Sequence, residues 1–279
     1  MYTIQTLLAQ AVLQLFRLES PQMEAERLLA VVLKKPQSFL YTYPEKMIAD
    51  DHSQNFFKLI KRRADGEPFS YVVGEQPFHH LDLKVTRDVL IPRPATENLV
   101  EKILDFFPKN ESLSIIELGT GSGAIGLTLA HERSAWDVLA SDVSNAALMV
   151  ARENQRCLKI ENIKFILSDW YQNIPKRKVD IIVSNPPYIA LGDPAVAKDV
   201  FEHEPHLALF ADENGFAAHR IIVEHVKEYL KKEGMIFLEH GYQQGAAIRD
   251  LLQENDFNAI KTYPDLSGHE RITVGKMSG

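Results

Sequence analysis

Two short runs of this sequence carry residues whose types and order can do chemistry. The first is Asn185-Pro186-Pro187-Tyr188. An asparagine side chain offers an acceptor oxygen, and a proline has a carbonyl but no N–H. Asn185 Oδ1 and the Pro186 carbonyl can therefore receive the two hydrogens of a planar NH₂ group, with Tyr188 against its face. Such a clamp would aim the nitrogen at a methyl sulfonium and oppose its rotation. Its hydrogen bonds would strengthen as positive charge develops on the nitrogen, which lowers the barrier without any covalent intermediate. No dedicated general base is identifiable.

The second run is Gly119-Thr120-Gly121-Ser122-Gly123-Ala124-Ile125-Gly126, directly after the apolar stretch that ends at Leu118. Its glycines permit a tight turn and close approach of a ligand to the backbone at a helix N-terminus, and Gly121, Gly123 and Gly126 fit a G-x-G-x-x-G spacing. Alone, that spacing suits a dehydrogenase, a methyltransferase that binds S-adenosylmethionine, or a structural turn. Asp142 lies nineteen residues after Gly123, where a carboxylate can accept from both ribose hydroxyls. Asp169 can accept from an adenine amino group, with Trp170 bordering the ring. Glu117 can hold the loop or a cofactor's amino group. The catalytic candidates are thus Asn185, Pro186, Pro187 and Tyr188. The cofactor-binding candidates are Glu117, Gly119, Thr120, Gly121, Ser122, Gly123, Asp142, Asp169, Trp170 and Asn185.

These residues need a scaffold that brings distant loops to one edge. From Thr96 onward, strand-like runs at 113–118, 136–141, 163–167, 179–184, 234–239, 257–263 and 270–276 alternate with helix-like runs at 96–107, 124–133, 144–157, 216–231 and 243–254. The pattern predicts a mostly parallel sheet of seven strands. Only Pro264 to His269 separate the last two strands, too few residues for a parallel crossover, so the last strand runs antiparallel. Residues 1–69 read as a small helical bundle. Ile4, Leu7, Leu8, Ala11, Val12, Leu15 and Phe16 form one stripe, Ser20-Pro21 opens a second helix, and Asp51–Arg63 forms a third with Phe56, Phe57 and Ile60 inward. Between the halves, Phe78, Leu81, Leu83 and Val85 alternate as a hairpin, and Ile91-Pro92-Arg93-Pro94 makes a rigid connector. The expected organisation is a helical domain over 1–73, a β-hairpin linker over 74–94 and an α/β domain over 95–279.

Charge and composition narrow the partners. The net charge is −7, with +1 on residues 1–94 and −8 on 95–279, so no basic field marks a phosphate-gripping surface. No run approaches the length of a membrane span. The first residues, MYTIQTLLAQAVLQLFRLE, are unlike a secretory signal, and the single Cys157 precludes an intrachain disulfide or a multi-cysteine metal site. The remaining histidines, His203 and His206 of the HEPH run included, lack metal-ligand spacing. The expectation is a cytoplasmic monomer with no metal.

The glycine loop together with Asn185-Pro186-Pro187-Tyr188 resembles the amino-methyltransferases that use S-adenosylmethionine. Further motifs narrow the likeness: Arg62-Arg63 with Asp65-Gly66-Glu67-Pro68, Gly74-Glu75 and Phe78, Leu90-Ile91-Pro92-Arg93-Pro94, Thr96-Glu97, Leu238-Glu239-His240-Gly241, Gln244-Gly245 and Glu270-Arg271. In this order, from about residue 5 to 276, they resemble the HemK/PrmC family of peptide chain release factor N5-glutamine methyltransferases. The resemblance implies a class I, Rossmann-like methyltransferase fold and S-adenosyl-L-methionine as donor, with S-adenosyl-L-homocysteine as product. The implied acceptor is the glutamine of the Gly-Gly-Gln motif in bacterial class I release factors, entering the pocket of Asn185 to Tyr188. The helical domain would dock the release factor. Ala95 stands where relatives usually carry an acid, and Glu117 replaces a commoner Asp. Two alternatives share the clamp: a DNA adenine or cytosine amino-methyltransferase, which needs a surface that grips phosphate and flips a base, and a glutamine methyltransferase acting on a ribosomal protein. No direct nucleic-acid substrate and no membrane are expected.

Overall fold

The computed structural model describes residues 2–279, which divide into two compact units. The first comprises the chain up to Gly74 together with Lys198–His203. Its helices include α1 (Ile4–Gln14), α2 (Pro21–Leu33), α3 (Gln37–Thr42), α4 (Asp50–Ala64) and α5 (Phe69–Val73). The predicted stripes meet in its core, where Ile4, Leu7, Ala11 and Leu15 pack with Leu28, Leu29, Phe56 and Ile60. Phe16 does not join them. Because α1 stops at Gln14, the next turn of the stripe is lost and Phe16 is 69% exposed. Ser20 occupies the cap position of α2 with Pro21 inside the first turn, but its side chain makes no capping bond. Arg62 closes the unit: its guanidinium grips both oxygens of buried Glu67 at 2.7 and 2.8 Å and reaches the carbonyls of Tyr71 and Val72. The bidentate geometry ties the end of α4 to α5.

The second unit holds Glu75–Ala197 and Glu204–Gly279. It opens with an antiparallel hairpin, Glu75–Phe78 with Leu81–Lys84, followed by α6 (Pro94–Phe106). Seven strands then form one sheet: β1 (Ser114–Leu118), β2 (Asp137–Asp142), β3 (Ile163–Leu167), β4 (Val179–Ser184), β5 (Leu230–Glu239), β6 (Phe257–Pro264) and β7 (Glu270–Met277). Their order across the sheet is β6-β7-β5-β4-β1-β2-β3, with β7 antiparallel to both neighbours and the other pairs parallel. The connecting helices include α7 (Ala124–Glu132), α8 (Asn145–Leu158), α9 (Ala217–His225) and α10 (Gly245–Glu254).

Alternation along the strands builds the two faces. Ile115, Ile181, Val183 and Phe237 join one buried cluster with Leu99 and Ile103 of α6 and Leu127 of α7. Their neighbours Ile116, Ile182, Ile236 and Leu238 join the other, with Ile222 and Val223 of α9 and Ile248 and Leu252 of α10. A sheet buried on both faces reads as continuous apolar runs, as these strands do.

One predicted element is divided. The helix-like run 216–231 ends at His225, continues as a single 3₁₀ turn over Val226–Glu228, and becomes strand at Leu230. Leu230 pairs with Val179, and the register then shifts before Met235. Glu233 has a φ of 63°, and a Cβ on Gly234 would sit 2.9 Å from the Lys231 carbonyl. An irregular strand start, kinked at Glu233-Gly234, hides from a periodicity reading.

Candidate active site

The parallel register sets the site. Leu118 of β1 and Leu238 of β5 both pair with Ser184 of β4, so Gly119, Asn185 and Glu239 come to one level at one edge of the sheet. A cavity of about 530 Å³ opens there. Of the candidates, Glu117, Gly119, Thr120, Gly121, Ser122, Asp142, Asp169, Trp170, Asn185 and Pro187 line it, whereas Gly123, Pro186 and Tyr188 do not. Gly123 is instead the cap residue of α7, with a φ of 87°.

The glycines divide by task. Gly119 and Gly121 have positive φ and open space where a Cβ would stand, so their backbone is bare toward the cavity. At Gly126 a Cβ would fall 2.3 Å from Glu117 Oε2. That glycine makes room for the acid rather than for a ligand. Glu117 is buried, accepts from Thr120 Oγ1 at 2.7 Å, and leaves Oε1 with no partner among the described residues. Burial pushes its carboxyl up to about 7. A buried acceptor without a donor beside an open cavity fits a ligand that brings a cationic amino group.

Asp142 ends β2 with both oxygens engaged. Oδ2 accepts the Gly121 N–H and Oδ1 the Ser144 N–H, each at 2.8 Å. The carboxylate thus pins the glycine loop and keeps further lone pairs toward the cavity, where two ribose hydroxyls would find acceptors. Burial raises its pKa while these backbone donors oppose the rise. Asp169 accepts from Gln172 at 3.1 Å, and Trp170 has a φ of 45° with Ser168 Oγ donating to its carbonyl. Asn154 of α8 joins the Ser122 carbonyl to both backbone groups of Lys84 and so fastens the loop to the hairpin. A mid-helix asparagine gives no sequence signal for that role.

At the clamp, Asn185 Nδ2 donates to Thr96 Oγ1 at 3.1 Å, which leaves Oδ1 free to accept. Gln244 Nε2 reaches the Tyr188 and Gly215 carbonyls at 3.1 and 3.3 Å. Gly215 must be glycine: a Cβ would lie 2.2 Å from the Tyr188 carbonyl oxygen. Arg93 pairs with buried Glu204, which also accepts from the Ile91 N–H, so the proline-rich connector is held by an ion-paired acid. Three potential metal ligands do gather elsewhere: His79, His80 and Glu132 hold their ligand atoms within 4.8 Å of one another, and none lines the cavity. Among the described residues no helix is long and apolar enough to cross a membrane.

Each unit matches a known family. Residues 95–209 match the methyltransferase small domain family, and residues 6–74 match the PrmC N-terminal domain family. Among solved structures, a methyltransferase from Pyrococcus furiosus superposes with a TM-score of 0.54 at 16% identity, covering 71% of this chain and 90% of that one. A T. thermophilus 16S rRNA N2 G1207 methyltransferase does so with a TM-score of 0.51 at 17% identity, covering 73% and 49%. These likenesses place the sheet in the class I, Rossmann-like methyltransferase fold. Full-length similarity is closer. The chain is 42% identical to the release factor glutamine methyltransferase of Aliivibrio fischeri, over 92% of this chain and 91% of that protein. It is 43% identical to that of Coxiella burnetii, over 92% of each, and 42% identical to that of Pseudomonas aeruginosa, over 99% of each. With both domain families matched in order and identity of this extent along almost its whole length, the chain belongs to the release factor glutamine methyltransferase family.

Proposed function

We propose that this chain transfers a methyl group from S-adenosyl-L-methionine to the side-chain amide nitrogen, N5, of the glutamine in the Gly-Gly-Gln motif of bacterial class I release factors. The cofactor supplies an electrophilic methyl group on a sulfonium centre. Glu117 would take its amino group, Gly119 to Gly123 its methionine portion, Asp142 its ribose, and Asp169 with Trp170 its adenine. Asn185 Oδ1 and the Pro186 carbonyl would accept the two amide hydrogens, with Pro187 and Tyr188 walling the planar group. The observation that carries this reading is the commitment of Asn185 Nδ2 to Thr96, which turns the acceptor end of the amide toward the incoming NH₂.

Amide nitrogen is a poor nucleophile because its lone pair is delocalised into the carbonyl. Two fixed acceptors stabilise the charge that develops on it and hold it in line for attack. The helical unit over 1–73 is the release-factor docking domain in this account, with 74–94 as linker and 95–279 as the catalytic domain. Exposed Leu13, Phe16 and Met23 on the helical unit support a docking role. The enzyme is cytoplasmic and acts as a monomer.

The test is transfer of labelled methyl from S-adenosyl-L-methionine to a purified class I release factor, beside its Gly-Gly-Gln→Gly-Gly-Glu variant and duplex DNA. Label on the native factor alone is expected. Label on DNA, or equal label on the glutamate variant, would overturn the assignment.

A further inference from the structure

The clamp stands on a carboxylate that does not line the cavity. Glu239, at the end of β5, is fully buried. Two hydroxyls hydrogen-bond to it: that of Thr96 in the first turn of α6, and that of Tyr188, whose Oη lies 3.5 Å from Glu239 Oε1. Burial and the neighbouring Glu239 charge push the Tyr188 phenol well above its ordinary range, so it stays protonated and donates. When it is ionised the carboxylate can only accept, so the Thr96 hydrogen then also points to Glu239. The Thr96 oxygen is left with lone pairs, and Asn185 Nδ2 fills one of them at 3.1 Å.

We propose that Glu239 is a positioning residue for methyl transfer. Through Thr96 it fixes the Asn185 amide with Oδ1 turned to the substrate, and through Tyr188 it holds the aromatic flank of the same clamp. The inference rests on reading Asn185 as the acceptor of the substrate's NH₂ group.

The burial of this acid supports a directional task. Desolvating a carboxylate is costly, and an apolar side chain in its place is often neutral or stabilising. Burial pushes Glu239 up to about 7 even though Arg271 and Arg93 draw it back, and Oε2 has no partner among the described residues. A group kept for packing alone would not need a carboxyl there. An asparagine amide can face either way with almost the same shape, so something must set its polarity. Thr96 by itself cannot, because a hydroxyl both donates and accepts. A carboxylate behind it removes the choice.

The test uses the full-length enzyme with its release factor. Glu239→Met keeps the side-chain volume and removes both acceptors. We expect its kcat to fall at least tenfold while its melting temperature holds or rises, with KM for the release factor and Kd for S-adenosyl-L-methionine within twofold. Glu239→Gln, which retains an acceptor for Thr96, should recover most of that loss. Thr96→Val should reproduce the deficit and Thr96→Ser should relieve it, and this second pair decides the matter if Glu239→Met does not fold. Asn185→Ala separates the inference from the reading beneath it. If Asn185→Ala abolishes transfer while Glu239→Met and Thr96→Val keep kcat within twofold, Glu239 has no positioning role. If Asn185→Ala itself is fully active, the clamp reading fails and the inference falls with it.

Discussion

Two buried glutamates stand at the same edge of the sheet, and they differ in what their surroundings leave open. Glu117 is the penultimate residue of β1 and Glu239 the last of β5, and burial pushes both up to about 7. Each keeps one oxygen without a partner among the described residues. Glu117 lines the cavity, with its other oxygen tied to Thr120 beside the glycine loop. Glu239 lies outside the lining, behind Thr96 and Tyr188. The same chemical group, two register positions apart, thus lines the cavity in one place and backs Thr96 and Tyr188 in the other. What separates them is the loop alongside: the bare glycine backbone that follows Glu117's own strand β1, and the rigid prolines that follow β4, the neighbour of Glu239's strand.

The comparison makes graded predictions. The largest concerns the clamp that Glu239 supports: Asn185→Ala should lower kcat by about 100- to 1000-fold, as removal of one fixed hydrogen-bonding group in an active site does. Calorimetry on that variant should show a much smaller loss of S-adenosyl-L-methionine affinity than of rate, since the lost oxygen faces the NH₂ acceptor. At the other end, Asp142→Ala should weaken cofactor binding by roughly tenfold or more, the scale of one or two charge-assisted hydrogen bonds. Unchanged affinity would refute the ribose assignment and remove the contrast between the two ends.

A third effect is on stability and has a definite sign. Each acid binds its proton more tightly in the folded chain, about 7 against an ordinary 4.5. Between those values the folded state holds more protons than the unfolded one, so each acid makes stability fall as pH rises from 4.5 to 7, with no further change above. Buried His219, pushed down to about 4 by desolvation, opposes this with a slope of the other sign between 4 and 6.5. Glu117→Gln should therefore flatten the falling slope by up to roughly 3 kcal/mol across the window, about 1.4 kcal/mol per pKa unit. Denaturant titrations at pH 5, 6, 7 and 8 would measure it, and an unaltered slope would mean that Glu117 titrates normally.

The sheet and the glycine loop were legible because they are local. Strands β1 to β4 show as short apolar runs, and Asn185 and Asp142 follow directly from the ends of β4 and β2. The loss of Phe16 from its stripe and the division of 216–231 were not legible, since both depend on where a helix stops. Gly126 looked like part of a phosphate-type fingerprint, and only the packed structure shows that it accommodates Glu117. Thr96 and Glu239 stood in the sequence as family motifs without a role. Asn185 meets Thr96 across 89 residues, and the pairing of β5 with β4 brings Glu239 behind them. No spacing in one chain reveals such a meeting.

The division of labour between the two acids is open to one paired measurement. Single-turnover methyl transfer at saturating S-adenosyl-L-methionine and the Kd for that cofactor would be determined for Glu117→Gln, which leaves Thr120 an acceptor, and for Glu239→Met. The account predicts a crossed result: Glu117→Gln raises Kd with little change in rate, and Glu239→Met lowers the rate with little change in Kd. If both variants moved the same quantity, the two ends of the sheet edge would not be doing different work.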